Sequence, residues 1–265
     1  ESDDYVKYYE DIYVGYRYFE TVKNAASRVN YPFGFGLSYT SFEINNISAY
    51  RDGDKIKISA DVKNTGKMSG KEVVQVYYNA PQGKLGKPAR ELAAFVKTDV
   101  LAPGEKRTYY AEFAINDMAS YDDLGKIQKS AYVLEAGRYK FYVGNSVRNT
   151  EKIDYEYVLD NDVITKQLTM QCPPSRLEMR MLADGSFEEM PSFEPNTVKV
   201  SNPKITAKAP AEPALLIDVV NGKVTLDEFM AQLSDEELVF LTYSGLNAPS
   251  PNGDISEVRG IGRLE

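Results

Sequence analysis

Apolar and polar residues alternate along much of the chain between residues 41 and 160. In the segment DKIKISADVKN, every second residue from Ile56 to Val62 is apolar, with lysine, serine and aspartate between them. A period of two predicts a β-strand with one buried and one solvated face. The same period occurs in KEVVQVYYNA, KRTYYAEFAI and GRYKFYVGN. The predicted buried faces are Ile56, Ile58, Ala60 and Val62; Val74, Val76 and Tyr78; Tyr109, Ala111, Phe113 and Ile115; and Tyr139, Phe141 and Val143.

Turn signals separate these segments. Asp52-Gly53 is typical of a tight hairpin, and Pro103-Gly104 suits the central positions of a type II turn. Short alternating strands at this spacing, with no helical pattern between them, predict an antiparallel β-sandwich.

The two flanks of this region follow other patterns. Residues 1–30 are rich in tyrosine but too short for a core of their own, so they must pack on the next domain or on another part of a longer parent protein. Residues 173–215 are rich in proline and predict an extended linker. Two helices are then predicted by capping boxes, Thr225 with Glu228 and Ser234 with Glu237. Their predicted apolar faces are Leu226, Phe229, Met230 and Leu233, and Leu238, Val239 and Leu241.

Composition narrows the functional classes. A net charge of −8 argues against a nucleic-acid partner, and no apolar run approaches the length of a membrane span. Histidine is absent, which excludes a Ser-His triad and the commonest zinc ligand. The single cysteine, Cys172, forms no intramolecular disulfide and favours a cytoplasmic, reducing compartment, although secretion stays open. The acidic start of the chain does not read as a signal peptide.

The remaining motifs have structural explanations. GFGLSY, with Gly34 and Gly36, precedes a strand and lacks the third glycine of a dinucleotide site. Three adjacent carboxylate pairs are predicted to be solvated surface: Asp3-Asp4, Asp122-Asp123 and Glu188-Glu189. Asp160–Asp162 lacks the further ligands of a calcium loop, and the sequon at Asn46 matters only in a secreted protein. The tyrosines suit packing better than a sugar-stacking platform. We therefore expect no catalytic, cofactor-binding or metal-binding residue and no cofactor.

Several segments in order resemble glycoside hydrolase family 3, the β-glucosidase family. EDIYVGYRYFE and YPFGFGLSYTSFE resemble the junction between its α/β sandwich domain and its fibronectin type III-like domain. GKEVVQVYYNAPQGKLGKPARELAAFVKTDVLAPGE and AGRYKFYVGNSVRN are similar to strands and a long loop of the latter domain. LDEFMAQLSDEELVFLTYSG resembles the first helices of the family's (β/α)8 barrel, which follows the fibronectin-like domain in the subgroup with inverted domain order.

This resemblance implies four regions. Residues 1–30 would be the tail of the α/β domain, 31–172 the fibronectin type III-like (immunoglobulin-like) β-sandwich, 173–215 the linker and 216–265 the incomplete start of the barrel. The rings of YPFGFGLSYTSFE would fill the corner between the α/β domain and the sandwich. The loop Asn79–Glu91, with Lys84, Lys87 and Arg90, would either dock on the catalytic domains or move freely in solvent.

The resemblance also sets the functional expectation. Family members are retaining glycosidases that use two carboxylates. The aspartate nucleophile would follow Glu265 and the glutamate acid/base would precede Glu1, so the chain alone is expected to be inactive. It would be the non-catalytic scaffold of a β-glucosidase acting on β-linked glucosides or related oligosaccharides. Its partners would be the catalytic domains and, in the whole enzyme, the substrate. The alternative is a stand-alone carbohydrate-binding or adhesion module.

Overall fold

The structure is a computed structural model that describes residues 6–169, 177–191 and 206–242. The chain divides into two compact units, Glu1–Val200 and Ser201–Glu265, which are treated separately below. Among the described residues, the helices are all too short or too polar to cross a lipid bilayer.

The first unit is built mainly from antiparallel strands. In chain order these are β1 (Phe42–Asp52), β2 (Lys55–Asn64), β3 (Val73–Asn79), β4 (Glu91–Lys97), β5 (Lys106–Ala114), β6 (Ser120–Asp122), β7 (Ala131–Leu134), β8 (Gly137–Gly144), β9 (Thr150–Leu159), β10 (Val163–Gln167), β11 (Met179–Met181) and β12 (Phe187–Glu189). A helix α1 (Tyr16–Thr21) and short 3-10 helices at Ala25–Arg28 and Ile115–Met118 complete it.

Two sheets form the sandwich. One has the strand order β1-β2-β5 and the other β4-β3-β8-β9, with every neighbouring pair antiparallel. In the β1–β2 hairpin, Asp52 pairs with Lys55, so the two loop residues are Gly53 and Asp54, one position later than the predicted Asp-Gly turn. Gly53 has a φ of 62°, which a residue with a side chain adopts only at a cost.

The predicted buried faces form the core between the two sheets. The side chains of Ile56, Val76 and Phe141 are fully buried there, and the partly buried Tyr109 and Ala111 pack against them. The Pro103-Gly104 turn is also confirmed. The amide N of Glu105 donates to the carbonyl O of Ala102 at 2.9 Å. The antiparallel, mainly β fold class predicted from the alternation is therefore confirmed.

The second face of β3 departs from the expected alternation, because Gln75 and Tyr77 are buried as well. The N-terminal segment covers this second face of β3. The Tyr16 ring meets the Tyr77 ring edge-on at 6.3 Å, and the Tyr16 hydroxyl accepts from the amide N of Leu92 at 2.9 Å. Of the two partners considered for residues 1–30, the described part of this segment packs on the sandwich. Whether residue 30 is a domain boundary stays a prediction.

Two further β elements were not predicted. A small antiparallel sheet has the order β10-β7-β6, and β11 and β12 form a hairpin. This hairpin lies inside the stretch predicted as an extended linker, so that prediction is wrong for residues 179–189. Arg180 fixes the hairpin, because its guanidinium contacts Asp123 at 3.0 Å, Glu188 at 2.7 Å and Asp11 at 3.6 Å.

The second unit contains α2 (Leu216–Val220), α3 (Leu226–Ala231) and α4 (Asp235–Phe240). Both predicted capping boxes are confirmed, since the amide N of Glu228 donates to Thr225 Oγ1 and that of Glu237 to Ser234 Oγ, each at 3.2 Å. The predicted apolar faces are only partly correct. Phe229 and Leu233 are buried with Ala214, whereas Leu226 and Val239 are exposed.

Candidate docking surface

Large apolar side chains lie exposed between the N-terminal segment and β1. Leu37 is 93% exposed and Tyr39 99%, and Tyr31 and Phe35 are also exposed. We call these four residues the aromatic face. Several large exposed apolar side chains within so short a segment are typical of an interaction site. Within the described structure these four side chains are left uncovered.

The backbone under the aromatic face is held in place by the sandwich. The amide N of Val147 donates to the carbonyl O of Phe33 at 2.9 Å, and that of Phe35 donates to Pro32 O at 2.9 Å. Gly34 has a φ of 85°, and a Cβ at this position would run into the buried Gln75 side chain. Glycine is thus required both for the turn and for the close approach to β3. The segment is a fixed platform for its exposed rings.

One ring of this stretch packs on α1 while it remains 44% exposed. Phe33 stacks on Tyr16 with ring centroids 4.5 Å apart, which ties the start of the segment to α1. Tyr31 and Phe35 contact each other at 5.0 Å on the outside. Within the described unit Phe33 packs on α1 and the aromatic face is left open. That these rings fill a corner against an α/β domain stays a prediction.

A cleft of about 790 Å³ lies beside the aromatic face. Its walls include the apolar side chains of Phe35 and Leu37 and the polar side chains of Glu72, Asn145 and Arg148. Arg148 pairs with Glu20 at 2.7 Å and donates to the carbonyl O of Ala26 at 3.0 Å. The cleft joins apolar and hydrogen-bonding surface, as the core and rim of a protein interface do.

The loop Asn79–Glu91 is fixed to its own domain, so the prediction of a freely moving loop is wrong. The ammonium of Lys87 is buried in an ion pair with Glu135, and the Glu135 carboxylate also accepts from the amide N of Lys84 at 2.6 Å. The Arg90 guanidinium lies 3.3 Å from the Tyr142 ring centroid. Only Lys84 of the three predicted cations is exposed, and docking of the loop on other domains stays a prediction.

Asp122 corrects the expectation of a solvated carboxylate pair. Its side chain is fully buried and accepts four backbone N–H bonds. The donors are the amides of Gly125, Lys126, Ile127 and Gln128, at 2.7 to 3.0 Å. Asp123 and Glu188 are bound to Arg180, so neither is simply solvated, whereas Glu189 is exposed as predicted. Asp3-Asp4 and Cys172 lie outside the described residues.

The acids with the clearest electrostatic perturbation also serve the fold. Hydrogen bonds from Thr108, Asn46 and Lys106 hold the pKa of Asp61 well below its usual range. Burial raises the pKa of Tyr78, whose hydroxyl donates to Glu91 at 2.8 Å. Asp162 accepts from the amide N of Ala136 at 2.8 Å. In residues 6–169, 177–191 and 206–242, no group of three acidic, histidine or cysteine side chains is arranged to hold a metal ion.

Similar proteins account for the whole chain. Residues 72–147 match the family model of the fibronectin type III-like domain. The chain is 42% identical to β-glucosidase A of Butyrivibrio fibrisolvens, in a match that covers 100% of the chain and 36% of that relative. It is 45% identical to a β-glucosidase of Ruminococcus albus, across 87% of the chain and 25% of that protein.

A solved structure extends the agreement to the fold. The crystal structure of a β-glucosidase from Paenibacillus barengoltzii superposes with a TM-score of 0.64 at 40% identity, over 94% of this chain and 29% of that one. The chain belongs to glycoside hydrolase family 3. It spans between a quarter and about a third of the length of these family 3 relatives, and it contains their fibronectin type III-like domain.

Proposed function

We propose that this chain is the non-catalytic scaffold portion of a retaining β-glucosidase that acts on β-linked glucosides or related oligosaccharides. One observation carries the proposal: a match covering all of the chain accounts for only 36% of a β-glucosidase. The greater part of that relative therefore lies outside the matched segment, with room for catalytic domains. Within the described residues, the strongly bonded carboxylates Asp61, Asp122 and Glu135 serve the fold.

The same proposal includes the domain organisation. Residues 1–30 are the end of an α/β domain, and residues 31–172 form the fibronectin-like sandwich. Residues 173–215 connect this sandwich to residues 216–265, which begin a (β/α)8 barrel. The match to the Butyrivibrio β-glucosidase supports this order, because it covers the segments on both sides of the sandwich. The nucleophile and the acid/base then belong to the barrel and the α/β domain of the whole enzyme.

The aromatic face is the surface on which the catalytic domains dock. Its support is the exposure of Leu37 and Tyr39 on a backbone that Phe33 and Gly34 anchor to the sandwich. A rigid segment with open rings suits a permanent interface, since little conformational entropy is lost when it is covered. The adjacent cleft at Glu72 and Arg148 supplies a polar rim.

We expect the double substitution Leu37→Ser, Tyr39→Ser to destabilise the full-length parent enzyme and to leave the isolated chain unchanged. Full burial of one such side chain contributes about 1.5–3 kcal/mol. Thermal unfolding of both proteins measures the effect, with Tyr110→Ser, an exposed tyrosine of β5, as the matched control. Equal unfolding temperatures of the substituted and unsubstituted parent would contradict docking at the aromatic face.

A further inference from the structure

A second cleft, of about 540 Å³, lies on the first unit away from the aromatic face. The loop around Gly86, the small sheet and the side chain of Arg180 enclose it. Its volume is within the range of sites that bind small molecules. None of its lining residues belongs to the aromatic face.

Two tyrosines form one wall of this cleft. Tyr121 of β6 pairs directly across the strands with Tyr132 of β7, and their ring centroids are 5.4 Å apart with the planes inclined at 53°. Their neighbours Asp122 and Val133 are fully buried on the opposite face of the sheet. Tyr121 and Tyr132 therefore project outward, and they remain 37% and 39% exposed. Open ring faces beside hydrogen-bonding groups suit the apolar C–H faces and the hydroxyls of a sugar.

The charges around the cleft are largely compensated within it. The lining carboxylates are Asp11, Glu91, Asp117 and Asp123, and the lining cations are Arg17, Lys126 and Arg180. Arg17 pairs with Glu91 at 3.2 Å, and Arg180 binds both oxygens of Asp123 at 3.0 Å. A charged ligand would have to break these pairs, whereas a neutral hydroxyl can donate to a paired carboxylate and accept from a paired cation.

The polar groups are also held before any ligand arrives. Glu91 accepts from the Tyr78 hydroxyl at 2.8 Å, and Asp117 accepts from the amide N of Ala114 at 3.2 Å. The backbone at Lys126 is fixed because its amide N donates a hydrogen bond to the buried Asp122 carboxylate at 3.0 Å. Groups that are already oriented lose little entropy on binding, which favours a specific small ligand.

We propose that this cleft is a binding site for a neutral saccharide of about two sugar units. The sugar rings stack on Tyr121 and Tyr132, and the hydroxyls bond to Glu91, Asp123 and Lys126. The site adds substrate binding to the scaffold role, and its preference for β-linked glucose rests on the proposed function. A carboxylate or phosphate ligand is disfavoured by the closed ion pairs.

The test is a titration of the 265-residue chain with cellobiose, followed by two-dimensional NMR and isothermal calorimetry. We expect saturable binding that Tyr132→Ala weakens by at least about tenfold, the equivalent of about 1.4 kcal/mol. Tyr132→Phe keeps the ring and should keep the affinity within a few-fold, which guards against a substitution that merely disturbs the fold. Tyr110→Ala is the matched control, because Tyr110 is an exposed tyrosine of β5 in the sandwich. This variant should bind cellobiose as the unsubstituted chain does.

The outcomes separate this proposal from the proposed function. The proposed site is overturned if none of the three sugars cellobiose, maltose and xylobiose binds. It is also overturned if Tyr110→Ala weakens binding as much as Tyr132→Ala does. If maltose alone binds with the expected dependence on Tyr132, the saccharide site stands and the β-glucoside assignment of the parent enzyme loses support. Glucose 6-phosphate is the charged probe, and binding of it in preference to cellobiose would also overturn the proposal.

Discussion

Asp122→Ala should lower the free energy of unfolding of the first unit by at least about 3 kcal/mol. The buried carboxylate accepts four backbone N–H groups of the loop after β6, at 2.7 to 3.0 Å. A single hydrogen bond to a charged group contributes about 1.5–3 kcal/mol, and a donor left buried without a partner costs about 1–3 kcal/mol. Alanine removes every acceptor at once, so the loss exceeds that of an ordinary surface substitution.

Urea unfolding followed by far-UV circular dichroism measures this loss. Asp160→Ala is the matched control, because Asp160 is an exposed aspartate of the same unit and its removal should change stability by no more than about 0.5 kcal/mol. Asp122→Asn keeps one carbonyl oxygen, so its free energy of unfolding should lie between those of Asp122→Ala and Asp160→Ala. If Asp122→Ala unfolds at the same urea concentration as the control, the carboxylate does not organise the loop.

Glu135→Ala should cost about 3–5 kcal/mol of folding stability, the range for breaking a buried ion pair from one side. Lys87 and Glu135 are 1% and 4% exposed, so the ammonium left behind would have neither a counter-ion nor water. The amides of Lys84 and Leu85 would lose their acceptor as well. The loop Asn79–Glu91 should then detach from β7 and become the first site of proteolysis.

The double substitution Lys87→Met, Glu135→Gln tests the cause. It removes both charges and retains an amide oxygen that can accept from the loop amides. Because replacement of a buried ion pair by uncharged residues is often neutral, most of the lost folding stability should return. Lys84→Met, on the exposed lysine of the same loop, should have little effect. If the double variant is no more stable than Glu135→Ala, an unpaired buried charge is not the source of the loss.

The sandwich could be predicted from the sequence because its signal is local. Ile56, Val76 and Phe141 each lie in a run where apolar residues recur every second position, and the sheet buries that face whatever its partners are. The capping boxes at Thr225 and Ser234 are local for the same reason, as a helix start needs only residues three apart.

The departures all depend on residues distant in sequence. Tyr77 was expected on a solvated face, but Tyr16 covers it from 61 positions away, which no periodicity in β3 reveals. Lys87 is buried beside Glu135, 48 positions away, whereas the sequence predicted a loop that docks on other domains or moves freely in solvent. The hairpin at 179–189 is stabilised by Arg180 contacts to Asp11 and Asp123 rather than by an apolar pattern.

Asp122 is an instructive exception, because its partners are close in sequence. The amides of residues 125–128 bond to it, so the signal was an aspartate followed three residues later by Gly125, which has a φ of 76°. Aspartate side chains that bond to following backbone amides are a known turn pattern. Asp122 is therefore an acceptor for a turn and not half of a solvated carboxylate pair.

The measurement that tests the central claim most directly is hydrolysis of an aryl β-glucoside by the full-length parent protein and by this chain, purified side by side. We expect turnover with retention of anomeric configuration by the parent and none above background by the chain, because the proposed domain organisation assigns both catalytic carboxylates of a retaining enzyme to other domains. Turnover by the homogeneous chain, or a parent protein without activity on any β-glucoside, would contradict it.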